Sequence, residues 1–306
     1  MNKVFQKAKE FIYRNARPLD LARFRYHFEN GSTEDVLNAL AFYQNEDGGF
    51  GHALEPDSWN PNSSPIQTWY ATEILREIGF TDSSHPITAG ILKYLESGRD
   101  FDGRTWSILV KSTDNYPHAP WWDTVIGSTM HDDYNPTACL AGFILKIADK
   151  GSSIHDLGCR LAKEAFDSYM NQGYFDNMGT VSCYVRLMQY VEEAGMTDLF
   201  DINALKDKLV KHVERIICKD TSVWETSYIC KPSQFFSSRD SIFYDTNRDI
   251  AEYECDFIIN TQLEDGSWGI TWKWIAWPDE WAVSRNWWKS NVVITNLLYL
   301  RGFDKL

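Results

Sequence analysis

Apolar residues recur every three to four positions along most of the chain, the spacing that gathers them on one face of an α-helix. Val36, Leu37, Leu40, Ala41 and Tyr43 form one such run, and Ser32 with Asp35 three residues later predicts its N-terminal cap. Residues 68–80 and 291–303 form two more, each running to a C-terminal glycine, Gly79 and Gly302. Further helices are predicted over residues 136–148 and 181–194, the first with Asn135 as cap and Pro136 in its first turn. Strict alternation is missing, although residues 107–111 and 224–230 read as short extended pieces. The pattern predicts an all-α protein.

One turn motif punctuates these helices twice: Gln44-Asn45-Glu46-Asp47-Gly48-Gly49-Phe50-Gly51, and Gln262-Leu263-Glu264-Asp265-Gly266-Ser267-Trp268-Gly269. In each copy a Gln follows an apolar helix, Asp-Gly makes a turn that needs positive φ, and an aromatic followed by Gly plugs the next layer. Weaker copies surround Asp102, Gln172 and Asp220, so that the openings at 47, 102, 172, 220 and 265 lie 45 to 70 residues apart. Such spacing suits a two-helix repeat with insertions. The expectation is one domain over residues 1–306, a single α/α toroid whose motif-to-helix loops gather at one mouth of a central cavity.

Composition sharpens this picture. Hydrophobic residues make up 43% of the chain and its 13 Trp exceed what packing alone calls for, so part of the indole surplus is expected to line a site. A formal net charge of -13 argues against nucleic acid and anionic membrane surfaces as partners. No apolar stretch approaches the length of a membrane span and the N-terminus lacks a leader pattern, so a cytoplasmic location is expected. The six cysteines stand singly, without metal-like spacing, and read as buried reduced thiols. Nucleotide, dinucleotide and serine-elbow motifs are missing, and no cofactor is expected.

The two motif copies resemble the QW motifs of the squalene-hopene cyclase and protein prenyltransferase superfamily. That resemblance implies an α/α toroid in which Gln44 and Gln262 cap helix backbone while Phe50 and Trp268 stack on them. It also implies that class II cyclisation would use the middle Asp of an Asp-x-Asp-Asp-Thr-Ala segment. The nearest segment is Asp133-Tyr134-Asn135-Pro136-Thr137-Ala138, which keeps the first Asp and the Thr-Ala but has Asn135 and Pro136 in place of the two later acids. An amide cannot protonate an alkene. The zinc site of the prenyltransferases has no counterpart either, because Glu254 and Cys255 are adjacent and the last histidine is His212.

Candidate chemistry concentrates in three mouth loops. The first carries His52, Glu55, Asp57 and Trp59. Two carboxyls beside an aromatic are what general acid and base chemistry uses, and caps or backbone-bound turns are their structural alternative. The second carries His118, Trp121, Trp122 and Asp123, then His131, Asp132, Asp133 and Asn135. Asp132 and Asp133 beside His131 have metal-ligand chemistry, but adjacent side chains rarely converge, so no metal is expected. The third, residues 270–288, packs six tryptophans into seventeen residues, of which Trp272, Trp277 and Trp281 are expected to face substrate while Trp287 and Trp288 pad the helices.

These features predict an enzyme with Asp133, Glu55 and Asp57 as candidate catalytic acids or bases and His52, Trp59, Trp121, Trp122, Asn135, Trp272, Trp277 and Trp281 as candidate substrate contacts. The expected partner is a small hydrophobic molecule of the isoprenoid kind. Two other readings stay open. A glycoside hydrolase or lyase would pair carboxylates about 5 to 9 Å apart across an open cleft. A non-catalytic lipid or peptide binder would account for the missing acids at Asn135 and Pro136.

Overall fold

The computed structural model describes residues 3–129 and 134–306, and among them the chain is all-helical, with isolated β-bridges in place of strands. The helices are α1 (Lys3–Asn15), α2 (Pro18–Phe28), α3 (Thr33–Ala41), α4 (Pro65–Glu77), α5 (Pro86–Glu96), α6 (Thr137–Ile147), α7 (Ser153–Asn171), α8 (Met178–Glu193), α9 (Ile202–Ile216), α10 (Arg248–Asn260) and α11 (Pro278–Gly302). Four of them, α2, α4, α5 and α11, carry Pro in the first turn, where the missing N–H costs nothing. The cap predicted at Ser32 is present as a reciprocal box: Asp35 N donates to Ser32 Oγ and Ser32 N donates to Asp35 Oδ2. Among the described residues no helix is long and apolar enough to cross a membrane.

The chain divides into two compact units, Leu40–Leu209 and Met1–Ala39 with Val210–Leu306. The core of Leu40–Leu209 is α6, whose residues are buried almost all the way round and which packs on both α7 and α8. A helix apolar on every face can only sit inside a bundle. In the other unit α1, α2 and α11 pack together through Phe11, Leu19, Phe24, Val293, Ile294 and Leu297. Within this packing α2 buries three charges: Asp20 accepts from Arg17 Nε (2.8 Å) and from Arg23 Nη1 (3.1 Å), and Arg23 also reaches Asn291 Oδ1 on α11. All six cysteines are free thiols, and burial pushes Cys230 and Cys255 up to about 12.

Both complete turn motifs share the same Asx turn and the same Gln contacts. Gln44 Nε2 donates to Gly48 O (2.9 Å) and to Ile87 O in the first turn of α5 (3.0 Å). Gln262 Nε2 donates to Gly266 O (3.0 Å) and to Val4 O in the first turn of α1 (2.9 Å). Asp47 Oδ1 and Asp265 Oδ1 each accept the N–H two residues on, closing an Asx turn. Gly48 and Gly266 take φ of 92° and 91° and lie flat on the facing helix, at Gly90 and Lys7 respectively. The aromatics are buried, and Trp268 also donates its indole N–H to Ile258 O (2.8 Å).

The copy around Asp102 is a true third member. Phe101 bridges Trp106 as Gln44 bridges Phe50, and Trp106 N donates to Thr137 Oγ1 (2.9 Å) as Phe50 N donates to Thr68 Oγ1 (3.1 Å). Thr137 therefore serves the repeat, which explains the Thr-Ala pair of residues 137–138 without acid chemistry. The copy around Gln172 lacks this turn, and the one at Asp220 keeps only the Asx turn and a buried Trp224.

Several element boundaries differ from expectation. The aromatic loop ends at Trp277, which adopts the left-handed conformation (φ 58°), and α11 starts at Pro278, so Trp281, Trp287 and Trp288 are helical. The chain closes α11 past Gly302, at Asp304 (φ 57°), where Lys305 N reaches Leu300 O (2.8 Å). Residues 107–111 and 224–230 form no strand, and each adjoins a 3-10 turn, Lys111–Asn115 and Thr221–Val223. Asn135 does not cap α6, since the cap position is Pro136 without a side-chain bond, and Asn135 Oδ1 accepts from Cys183 Sγ on α8 at 3.4 Å.

Glu254 on α10 is fully buried, and its carboxylate accepts from Ser233 N (2.8 Å) and Ser233 Oγ (2.6 Å). Burial raises its proton affinity above the ordinary Glu range, and the Ser233 bonds and nearby Lys231 only partly oppose this. Because the folded chain holds this proton more tightly than the unfolded one, the stability it contributes is complete below the unfolded value of 4.5 and is lost as pH rises through the folded value. Glu254→Gln, which keeps an acceptor for Ser233, should therefore equal or exceed the parent in urea resistance at about pH 7, with the gap closing toward pH 4.5. A variant weaker than the parent at neutral pH would contradict the assignment.

Candidate active site

The sequence-predicted site residues that come together do so in the unit Leu40–Leu209. The loop after the first motif, residues 51–60, begins with His52 and Ala53 in the left-handed conformation (φ 58° and 59°), which costs non-glycine residues about 1 kcal/mol each. It closes through His52 N to Asn60 O (2.9 Å). Gln67 on α4, wholly buried, grips the loop from beneath: its Oε1 accepts from Glu55 N (2.7 Å) and its Nε2 donates to Ser58 O (2.7 Å). The turn carrying Glu55 and Asp57 is thus held both by its own bonds, Ser58 N to Glu55 O (3.2 Å) among them, and by a helix beneath it.

A second loop, residues 116–123, zips onto the first. Ser58 bridges His118, Trp59 N donates to Pro117 O (2.9 Å) and Ala119 N donates to Asp57 O (2.8 Å). Asn60 ties in the preceding 3-10 turn through Ser112 Oγ (2.8 Å) and Thr113 Oγ1 (3.1 Å). This zipper brings Trp122 over Glu55. The indole N–H donates to Glu55 Oε2 at 3.0 Å, and Asp57 N donates to the same oxygen at 3.1 Å. Glu55 is 5% exposed and Asp57 2%, whereas Trp59, Trp121 and Trp122 are half-buried.

A carboxylate held by an indole N–H and a backbone N–H, on a turn anchored to a helix, has a fixed orientation. Gln67 is the residue that sequence reasoning missed. Its signal was an amide three residues after the α4 cap Ser64, in the first turn of an apolar helix.

The second loop and the 3-10 turn before it gather another set of polar groups, Asp114, His118 and Asp123, whose ligand atoms all lie within 4.8 Å of one another. His118 Nδ1 bonds Tyr116 O at 2.6 Å and Nε2 faces Asp123 Oδ2 at 3.6 Å. Asp123 Oδ1 accepts from Ile126 N (2.7 Å) and Val125 N (2.8 Å), and these two bonds hold its carboxyl below the usual range. Asp114 accepts from Thr124 N (2.9 Å) and Thr124 Oγ1 (2.5 Å).

The remaining predicted residues lie apart. His52 is exposed and its Nε2 meets Asn45 Oδ1 at 2.9 Å, inside the turn motif. Asp133, with His131 and Asp132, lies outside the described residues. Trp272 and Trp281 belong to an aromatic cluster of the unit Met1–Ala39 with Val210–Leu306, where Trp272 meets Trp288 (5.3 Å) and Tyr228 (5.5 Å) and Trp281 meets Trp274 (5.8 Å). Trp277 is 41% exposed at the start of α11, and Trp287 pads against the Arg17 guanidinium at 5.2 Å.

A pocket of about 270 Å³ in Leu40–Leu209 is lined by Arg76, Phe80, Phe143, Lys146, Tyr190 and Glu193 and contains none of the predicted site residues. Its one guanidinium is committed to Glu193 in a two-pronged pair and lies over the Tyr190 ring. Comparison with protein-family models, with curated proteins and with solved structures gives no match.

Proposed function

We propose that the chain is an enzyme acting on a small hydrophobic molecule of the isoprenoid kind, an α/α-toroid relative of the cyclases and prenyltransferases, with Glu55 as the group that removes a proton from substrate. The observation that carries this reading is the Glu55–Trp122 pair: a carboxylate 5% exposed, fixed by an indole that also offers a π-face to positive charge. The identical Gln-to-helix bonds of the two complete motifs support the kinship. The strained backbone at His52 and Ala53 supports a site here, because such conformations persist where surrounding structure maintains them for a purpose.

The carbohydrate reading ranks below this one. Glu55 and Asp57 share a single turn, with Asp57 N bonded to Glu55 Oε2, whereas glycoside hydrolysis requires two carboxyls that flank the scissile bond.

The test is turnover of a panel of polyprenyl diphosphates, neutral polyenes and oligosaccharides, followed by mass spectrometry. Isoprenoid products are expected from the parent, with a loss of roughly 10²–10⁴-fold in Glu55→Gln at unchanged helix content. Turnover of oligosaccharides alone, or of isoprenoids equally by parent and variant, would overturn the reading.

A further inference from the structure

We infer that Asp114, His118 and Asp123 form a binding site for a divalent transition-metal cation of the zinc class. The argument starts from the tautomer of His118. Tyr116 O can only accept a hydrogen bond, so the imidazole nitrogen 2.6 Å from it, Nδ1, carries the proton. In the neutral ring Nε2 is then a bare lone pair, and what it faces is another acceptor, Asp123 Oδ2 at 3.6 Å. Two acceptors held face to face need a positive charge between them. A proton would draw them to hydrogen-bond distance, about 2.7–2.9 Å for a charged pair. A gap of 3.6 Å instead approaches the edge of a tetrahedral shell, about 3.3–3.5 Å when metal–ligand bonds are about 2.0–2.2 Å.

The surroundings fix the ligands as outer-shell partners do in metal sites. His118 is 9% exposed and cannot rotate without breaking its Tyr116 bond. Asp123 commits Oδ1 to two backbone N–H groups, which turns Oδ2 toward the imidazole. Asp114 completes the triangle from the exposed side, through which an ion can enter. Two carboxylates and one neutral imidazole carry the charge that balances a divalent cation. The nitrogen ligand favours zinc over manganese, calcium and magnesium, which suit oxygen shells. The site shares its loop with Trp122 but is independent of the role given to Glu55.

Isothermal titration calorimetry of the full chain with zinc(II), manganese(II), calcium(II) and magnesium(II) tests this. One equivalent of zinc should bind, at least tenfold more tightly than manganese, calcium or magnesium, and His118→Gln and Asp123→Asn should each weaken it by about 10–100-fold. Asp114→Asn, at an exposed position, supplies a variant whose folding is not at risk and should also weaken binding. The visible absorption of a cobalt(II) complex provides a readout on the unaltered chain and should show a nitrogen- and oxygen-ligated low-symmetry ion. Absence of saturable binding, binding indifferent to all three substitutions, or calcium binding as tight as zinc would each overturn the inference; the first would leave a plain His118–Asp123 ion pair.

Discussion

Replacing Asp20 with alanine should cost about 3–5 kcal/mol of folding stability, read as a lower urea midpoint at unchanged slope. Asp20 is fully buried and lies between Arg17 and Arg23, themselves almost fully buried at the α1–α2–α11 junction. Removing the anion leaves two buried cations without the carboxylate they share, with Asn291 and the face of Trp287 among their remaining neighbours. The same physics predicts a less intuitive result. Changing all three together, Asp20→Leu with Arg17→Met and Arg23→Met, should cost less than the single change, because no charge is then stranded. If the single variant proves as stable as the parent, the triad carries no such energy.

Gly266→Ala, and independently Gly48→Ala, should each destabilise by several kcal/mol, on the order of 3 or more, through two penalties that add. The φ of 91° at Gly266 and 92° at Gly48 is costly for any residue with a Cβ. The added carbon would also sit 2.1 Å from a backbone oxygen, that of Lys7 in one case and of Gly90 in the other. Backbone cannot step aside as a side chain can, so the motif would have to lift off its helix and break the Gln bond to Val4 or Ile87. Amide exchange should then rise at the facing first turn. A variant that retained protection there would show that the Gln contact does not depend on the close approach of the glycine.

Much of the helical framework was legible because burial imposes its period on the sequence. Residues 68–80 and 181–194 announce α4 and α8 by spacing, and Ser32 with Asp35 announces α3 by its cap. What stayed hidden depended on contacts far apart in sequence or on residues with no strong preference. The start of α11 is one case: six indoles in seventeen residues read as lining, yet Pro278, Asp279 and Glu280 open an ordinary helix behind the left-handed Trp277. Thr137 is another, because its match to an acid motif is local while its bond to Trp106 N spans 31 residues.

The site was half legible. Glu55, Asp57 and Trp122 were visible as residue types in neighbouring loops, but the pairing of Glu55 with Trp122 spans 67 residues and follows from the loop zipper. Gln67 gave no sign of its role, because the bond from its side chain to Glu55 N is fixed by the fold of the loop over α4. Asp114 carried no signal, since its closeness to His118 and Asp123 is made by a 3-10 turn that periodicity does not reveal.

The bond from Gln262 to Val4 has a consequence during synthesis. One unit is built from Met1–Ala39 and Val210–Leu306, so its first helices leave the ribosome long before the strip of chain that completes them, while Leu40–Leu209 is contiguous. Co-translational assembly should therefore begin in the middle of the polypeptide, with α1 and α2 waiting, apolar faces uncovered, for partners made last. Nascent chains stalled before residue 262 should accordingly recruit holding chaperones through their N-terminal forty residues, and release them once that glutamine emerges.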